Sequence, residues 1–485
     1  MSKVTTPMNA FFNIGNITNF ILILLSVAAS GWCIFRLKKG GKRRKLYYAG
    51  IVLSLLMIVL CIRGSYHIFQ YCDFYNKILR PTSSFYLDEL SLSPEECRED
   101  FDEITDIVQG NYAPIARHKG IDLKELNKKY KEEMKAVKNA EQYGLLLLRY
   151  FSDLQNMHTF IFASEYKSGV SVGSRNDSVW IVHCPNKNIN LQQKDLILAV
   201  NRIPTAEYIK RQMGITPAST DNARRETAAL NILSSYTDSC KLVTVQRNDS
   251  VFSVSLPLYK QKEIATRLGK VNHKDSLTAR DISVQTVATW VNMFKGLDDV
   301  GFIHIKNFKQ GSVETFCRHI KGEFKCPYLI LDLQSNPGGT KQNVIDIAPY
   351  LISRTTTIGN LTIESNSAKC YKGKLFVLID NFTSSGAETL AAILKGQPNT
   401  LLIGHRTAGD CGSRGYNFKT SHGIEFKLAT QPPYLLPDGV TWSEGQGIAP
   451  DIEVKESLPW EEETVFNIAI NLITKDKQKN AYEFK

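Results

Sequence analysis

Two apolar runs open the chain, Ile17 to Phe35 and Leu46 to Ile62, and neither contains a charged side chain. As helices they are about 28 and 25 Å long at 1.5 Å per residue, close to the roughly 30 Å hydrocarbon core of a bilayer. They predict two membrane spans. A soluble core helix of that length normally shows a polar face, and a cleaved signal peptide needs a basic segment ahead of its apolar run, where this chain has only Lys3. Beyond residue 93 the pattern becomes helical through residue 158. Ser93-Pro94 reads as a cap followed by Pro at the first helical position, with Phe101, Ile104 and Ile107 on one face. Asp122 reads as the cap of a following helix, and the segment from Ala140 to Phe160 completes a helical hairpin or small bundle. From about Tyr166 to Tyr259 the runs "VSVG", "SVWIVHC", "DLILAVN", "KLVTVQR" and "VFSVSLPLY" predict strands separated by polar turns. A polar linker over about Lys260–Arg280 follows. The last 200 residues alternate short apolar strands ("GFIHI", "YLILDL", "LFVLID", "LLIG") with helices near Thr315–Glu323, Asn343–Ile352 and Ala387–Leu394. That alternation predicts an α/β layer with parallel crossovers.

Charge sharpens the first of these readings. The chain of 485 residues has a net charge of +11, which taken alone suggests a polyanionic partner. Residues 1–75, however, hold nine basic side chains and one acid, so eight of the eleven charges sit there and three are spread over the other 410 residues. No nucleic-acid partner is predicted. Seven of the basic residues lie in "RLKKGGKRRK" between the apolar runs, which places that loop in the cytoplasm and both chain ends outside, in the periplasm if the cell is Gram-negative. Ten cysteines show no CxxC and no Cys/His spacing of a zinc site, so neither a metal nor another cofactor is expected.

Two strand-to-turn junctions carry candidate chemistry. "YLILDLQSNPGG" ends a strand in a turn whose glycines, Gly338 and Gly339, permit close backbone approach and leave amides to donate. "LFVLIDNFTSSGAETLAAIL" ends another strand in Thr383-Ser384-Ser385-Gly386 and runs directly into a helix. A serine there meets unpaired N–H groups and a dipole that favour a developing oxyanion. Alone, a serine before a helix is more often only a cap.

Taken together, "GFIHIKNF", "LILDLQSNPGG", "VLIDNFTSSGAE", "GHRTAGD" and "EGQGIAPDIEV" resemble, in order and spacing, the serine-peptidase family of C-terminal processing peptidases and the tricorn protease core. "LLRYFSDLQNMHTF" resembles that family's L-x-D-x-H-T element, and "LQQKDLILAVNRIP" its inserted PDZ domain, although Lys194 and Arg202 stand where such domains usually have Gly. The resemblance spans roughly residues 94–456. It implies an α/β core of the crotonase and Clp-protease type, with an N-terminal helical region and a PDZ-like β insert. The expected organisation is a two-span anchor (1–75), a helical region carrying a histidine (76–165), the PDZ-like domain (166–260), a linker (261–300) and the peptidase core (301–485).

The family activates its serine in two ways. C-terminal processing peptidases use a lysine of a T-x-G-K element, but here the segment is "TAGD", and Asp410 at the lysine position cannot act as a neutral amine base. Tricorn-like members use a histidine and a glutamate, which His158 and Glu444 match. Asn156 replaces the usual Asp of the histidine element, and Met157 stands where tricorn has a serine that assists the glutamate. The resemblance therefore implies Ser385 as nucleophile, with Ser384 as its rival, His158 as base and Glu444 orienting the imidazole. Backbone N–H groups of Gly386 and of Gly338 or Gly339 would meet the oxyanion. The expected activity is a membrane-anchored serine endopeptidase or tail-processing peptidase acting on proteins or peptides outside the cytoplasm. A catalytically silent peptide- or lipid-binding module of the same fold is the alternative.

Overall fold

A computed structural model describes residues 7–40, 44–78, 84–267, 287–289, 299–323, 325–366, 368–411, 415–458, 460–461 and 464–483. The chain divides into two units, the first comprising the residues up to Ser83 together with Asn417–Lys419. The helices of that N-terminal stretch are α1 (Pro7–Lys38) and α2 (Arg44–Ile78). Their windows Ile21–Lys38 and Arg44–Ile62 are long and apolar enough to cross a membrane, and only 6% of each window is buried. The two helices approach closely where a Cβ at Gly50 would lie 2.9 Å from the Cys33 sulfur. Trp32 and Tyr47 meet edge to face beside it.

The second unit begins with helices α3 (Pro94–Asn111), α4 (Ala113–His118), α5 (Leu123–Met134) and α6 (Ala140–Asp153). The caps are those the sequence predicts. Ser93 Oγ accepts from Glu96 N–H while Glu96 reaches back to Ser93 N–H, and Asp122 accepts from Lys124 and Glu125 N–H. Helix α6 buries Tyr143, Leu146, Leu147, Tyr150 and Phe151, then ends at Asp153, so the segment carrying His158 is a turn rather than more helix. Residues Phe160–Ile161 then pair antiparallel with the strand Glu425–Ala429, in register Phe160 to Lys427. This pairing anchors the His158 turn against the core.

The predicted β-rich region is an antiparallel sheet of β1 (Ser171–Arg175), β2 (Ser178–His183), β3 (Leu196–Val200), β4 (Cys240–Arg247) and β5 (Ser250–Pro257), in that spatial order. Two helices the strand pattern did not reveal, α7 (Thr205–Met213) and α8 (Asp221–Leu230), interrupt it. Tyr208, Ile209, Ala228 and Ala229 from these helices pack on Val179, Ile197, Val200, Val243 and Val245 of the sheet. Lys194 and Arg202 adopt φ of +74° and +66°. The backbone there is left-handed as glycine would make it, at a cost of roughly 1–3 kcal/mol per residue that the surrounding sheet must offset. Of the predicted linker, residues 261–267 form α9 (Gln261–Arg267), and most of the remainder, 268–286, lies outside the described residues.

The core sheet runs β6 (Val287–Thr289), β7 (Val300–Ile305), β8 (Tyr328–Asp332), β9 (Lys374–Ile379), β10 (Thr400–Gly404) and β11 (Ile452–Glu453). Strands β7 to β11 are parallel and β6 is antiparallel to β7. Alternate residues face opposite sides, so the apolar runs are continuous because both faces are covered. Ile303, Ile305, Leu329, Leu331, Leu375, Val377 and Ile379 meet α10 (Ser312–Glu323), α11 (Lys341–Ile347) and α12 (Gly386–Leu394). Phe302, Ile330, Phe376 and Leu378 meet α13 (Val465–Glu483), a helix the sequence pattern did not predict. Helix α12 is buried on all sides. It starts at the C-terminal end of β9, which fixes where Ser385 stands.

Candidate active site

Ser385 precedes α12 with φ +54° and ψ −119°, far from the extended backbone of an ordinary N-cap. A side chain held there costs on the order of 1–3 kcal/mol and persists only where neighbours enforce it. They do. Glu388, one turn into the helix, accepts from Ser385 N–H at 3.2 Å, and Ser384 N–H donates to the Asn336 carbonyl at 3.0 Å. Ser384 is 2% exposed, whereas Ser385 is half-buried.

The glycine turn after β8 lies directly against Ser385. A Cβ at Gly338 would come within 2.5 Å of Gly386 N and 2.7 Å of Ser385 Cβ, so only glycine, at φ +88°, allows the approach. Gly338 N–H donates to Asn336 Oδ1 at 2.8 Å and its carbonyl accepts from Phe308 N–H. The Gly386 amide stands first in α12, where a helix leaves its N–H groups without intrahelical partners, and the Gly339 amide lies beside it. Of the three expected oxyanion donors, the Gly338 N–H is occupied in shaping the turn.

His158 is brought in by a turn that Asn156 organises. Asn156 is fully buried, and its Oδ1 accepts from His158 N–H at 2.8 Å and from Thr159 Oγ1 at 3.1 Å. A carbonyl oxygen suffices for that, which accounts for Asn in place of Asp. His158 Nδ1 lies 2.7 Å from Asp410 Oδ2, with the carboxylate 1% exposed. A carboxylate only accepts, so Nδ1 carries a proton, and in a neutral ring the lone pair is then on Nε2. Asp410, read in the sequence as the loss of a lysine base, is here the acid on the histidine ring.

Glu444, expected to orient His158, makes an ion pair with Lys119 Nζ at 2.9 Å, both side chains almost fully buried. Its backbone bridges that of Asp410, and its carbonyl lies 3.1 Å from His118 Nε2. Burial first, then the Asp410 charge, push its pKa up to about 7 against the pull of Lys119 and Ser219. Lys427, on the strand that pairs with Phe160, is held below its ordinary value by burial, with the Asp410 charge acting the other way.

Glu388 joins the two halves. Its oxygens accept from Thr407 Oγ1 (2.5 Å), Gly409 N–H (2.8 Å) and Asp410 N–H (2.7 Å) as well as from Ser385 N–H. Complete burial, opposed by the Thr407 and backbone donors, raises its pKa to about 8. The contact of Asp410 with the histidine ring, Lys119 and the structural use of Glu388 escaped the sequence reading. Among the described residues no cluster of His, Cys, Asp or Glu fits a metal ion.

The raised acids give stability a pH dependence of definite sign. A folded-state pKa above the ordinary 4.5 means the folded chain keeps protons the unfolded chain releases. The stability these two groups contribute is thus fully present below about pH 4.5 and lost as pH rises toward 7 to 8. Asp410, Lys119, Ser219 and Tyr112 face Glu444 in this window. Melting of the full chain in detergent across pH 4.5–7 should show a smaller loss for Glu444→Gln than for the parent, by on the order of 1–3 kcal/mol. Parallel curves would refute the assignment.

Residues 299–454 match the family model for peptidase family S41, and residues 174–258 match the model described as "Bacteroidetes, Peptidase, S41 family, N-terminal domain". Carboxy-terminal processing protease CtpA of Bacillus subtilis (strain 168) is 29% identical over 210 residues, 41% of this chain and 43% of that protein. CtpB of the same organism is 25% identical over 211 residues, with the same coverage of 41% and 43%. The chain spans less than half the length of these curated relatives. Mature CPAF complexed with lactacystin shares the fold, with a TM-score of 0.61 at 16% identity over 81% of this chain and 99% of that one. With both models matched and this homology beside a serine set at a glycine-lined helix start, the chain carries peptidase family S41 domains and is a homologue of the carboxy-terminal processing proteases.

Proposed function

We propose that the chain is a membrane-anchored serine peptidase that cleaves proteins or peptides outside the cytoplasm through an acyl-enzyme on Ser385. The observation that carries this reading is the His158–Asp410 pair at 2.7 Å, on a turn and a loop that Glu388 and the Phe160 strand tie to the nucleophile's helix. Ser385 Oγ attacks the scissile carbonyl while His158 Nε2 takes its proton. Asp410 holds the ring in the tautomer that leaves Nε2 basic and stabilises the imidazolium that forms. The oxyanion is met by the Gly386 and Gly339 N–H groups, fixed before the reaction by the Gly338 approach and the helix start. His158 then returns the proton to the leaving amine, and water resolves the ester by the reverse path. Glu444, which the sequence resemblance assigned to the ring, acts one step back through Lys119.

The five-stranded insert with two helices is compatible with a PDZ-like domain. A substrate's extended segment is the natural ligand of such a domain by strand addition. The apolar helices α1 and α2 serve as the anchor, with the basic loop between them cytoplasmic. A reporter fused after Lys485 should be active only on the extracytoplasmic side of the membrane, and cytoplasmic activity would reverse the topology.

The nucleophile is tested on the full chain in detergent with a fluorophosphonate probe and denatured casein. The parent should be labelled at Ser385 and cleave the casein. Ser385→Ala and His158→Ala should lose on the order of 10⁴–10⁶ in kcat. A parent that is neither labelled nor active would defeat the peptidase reading and favour a binding module. Labelling of Ser385→Ala at Ser384 would move the nucleophile by one residue.

A further inference from the structure

A hydroxyl from the stretch that carries the β insert reaches the Asp410 carboxylate. Ser219, immediately ahead of α8's cap, is 6% exposed. Its Oγ donates to Asp410 Oδ1 at 3.2 Å and accepts from Met157 N–H, the residue next to His158, at 3.2 Å. Its carbonyl accepts from Lys119 Nζ at 3.0 Å, the same ammonium that pairs with Glu444. The next residue repeats the attachment, because Thr220 Oγ1 caps α8 at Ala223 N–H and donates to the Ala408 carbonyl at 3.0 Å. Gly409 has φ +82°, and a Cβ there would lie 2.4 Å from Thr220 Cγ2. The insert and the Asp410 loop are therefore fitted backbone to side chain.

We propose that Ser219 is a positioning residue for the His158–Asp410 pair, supplied by the insert to the peptidase core. This rests on the peptidase reading above. Asp410 presents one oxygen to His158 and the other to Ser219. The hydroxyl therefore fixes the carboxylate's rotation and shares its negative charge, while its second bond fixes the main chain that delivers His158. A single hydroxyl thus sets both members of the pair. It bonds the main chain of Met157, the position at which the chain departs from tricorn, which has a serine there that assists the glutamate. Without it, the buried Asp410 charge falls more heavily on the imidazole. The other charges around the pair are Glu444, Lys119, Lys427 and Glu388, and none of these supplies a neutral donor to Asp410 Oδ1.

Steady-state cleavage of a denatured fluorogenic protein by the full chain in detergent, from pH 5 to 9, tests this. Ser219→Ala should lower kcat roughly ten- to hundredfold, as expected for a hydrogen bond to a charged group, with KM nearly unchanged. The acidic limb of its kcat/KM profile should move to higher pH, because an Asp410 without its donor favours the imidazolium. Ser219→Thr, which keeps the hydroxyl, should restore the rate to within about threefold and return the limb to its parental place. A parental rate and pH profile in Ser219→Ala would overturn the proposal, as would equal losses in the Ala and Thr variants, since packing alone would then explain them. If Ser219→Ala shows no cooperative melt, Ser219→Cys replaces it, with a slowed Cys against a preserved Thr supporting the role and equal rates overturning it. An inactive parent that the fluorophosphonate probe does not label would instead fail the peptidase reading itself.

Discussion

One buried carboxylate, Glu388, determines the relation between the Ser385 turn and the Asp410 loop. It accepts one hydrogen bond from Ser385 N–H and three from the Thr407–Asp410 loop. The first of these holds the main chain at φ +54°, where a serine would not rest unaided. The others fix the direction in which Asp410 leaves its backbone. Four donors on two oxygens use the full acceptor capacity of a carboxylate, and an amide in its place would turn one acceptor into a donor facing an N–H. Burial opposes the charge these donors require, which is why the pKa is pushed up to about 8. The site therefore rests on a group that is costly to bury and costlier to leave half-satisfied.

Around that carboxylate three stretches of sequence meet. The helical region brings Lys119 and His158, the insert brings Ser219, and the core brings Ser385, Asp410 and Glu444. Three acids, Glu388, Asp410 and Glu444, lie within a few residues of contact in a region almost without solvent. Lys119 is the cation that pairs with one of them. Removing one partner of such a buried pair is typically far more damaging than the pair is stabilising. This mutual dependence gives the arrangement a single geometry, and it explains why the glycines at Gly338 and Gly409, each at positive φ and each with no room for a Cβ, stand where the segments cross.

The legible parts of the sequence were those governed by local pattern. Strands β7 to β10 announce themselves because both faces are covered, and Ser93, Asp122 and Thr383–Glu388 are punctuation that side-chain hydrogen bonds enforce within a few residues. Helices α7 and α8 were missed because they are short, rich in charge and alanine, and bury only a narrow stripe. Lys194 and Arg202 looked like departures from the family pattern, yet their backbones keep the left-handed turn, so the side-chain type misled where the main chain did not. His158 was found through resemblance alone, since 227 residues separate it from Ser385. The role of Asp410 could not be read at all. An aspartate in a lysine's place signals only what is missing until the fold shows that a histidine ring faces it, and Lys119 and Ser219 sit in segments with no motif.

The central claim is that Asp410, rather than Glu444, governs the His158 ring. Single-turnover phosphonylation of the full chain by a fluorophosphonate, compared between Asp410→Asn and Glu444→Gln, addresses it most directly. The account predicts a loss on the order of 10³–10⁴ for Asp410→Asn, which would stabilise the wrong tautomer. Glu444→Gln should lose less than about tenfold, because its carboxylate acts through Lys119. A larger loss in Glu444→Gln than in Asp410→Asn would contradict it.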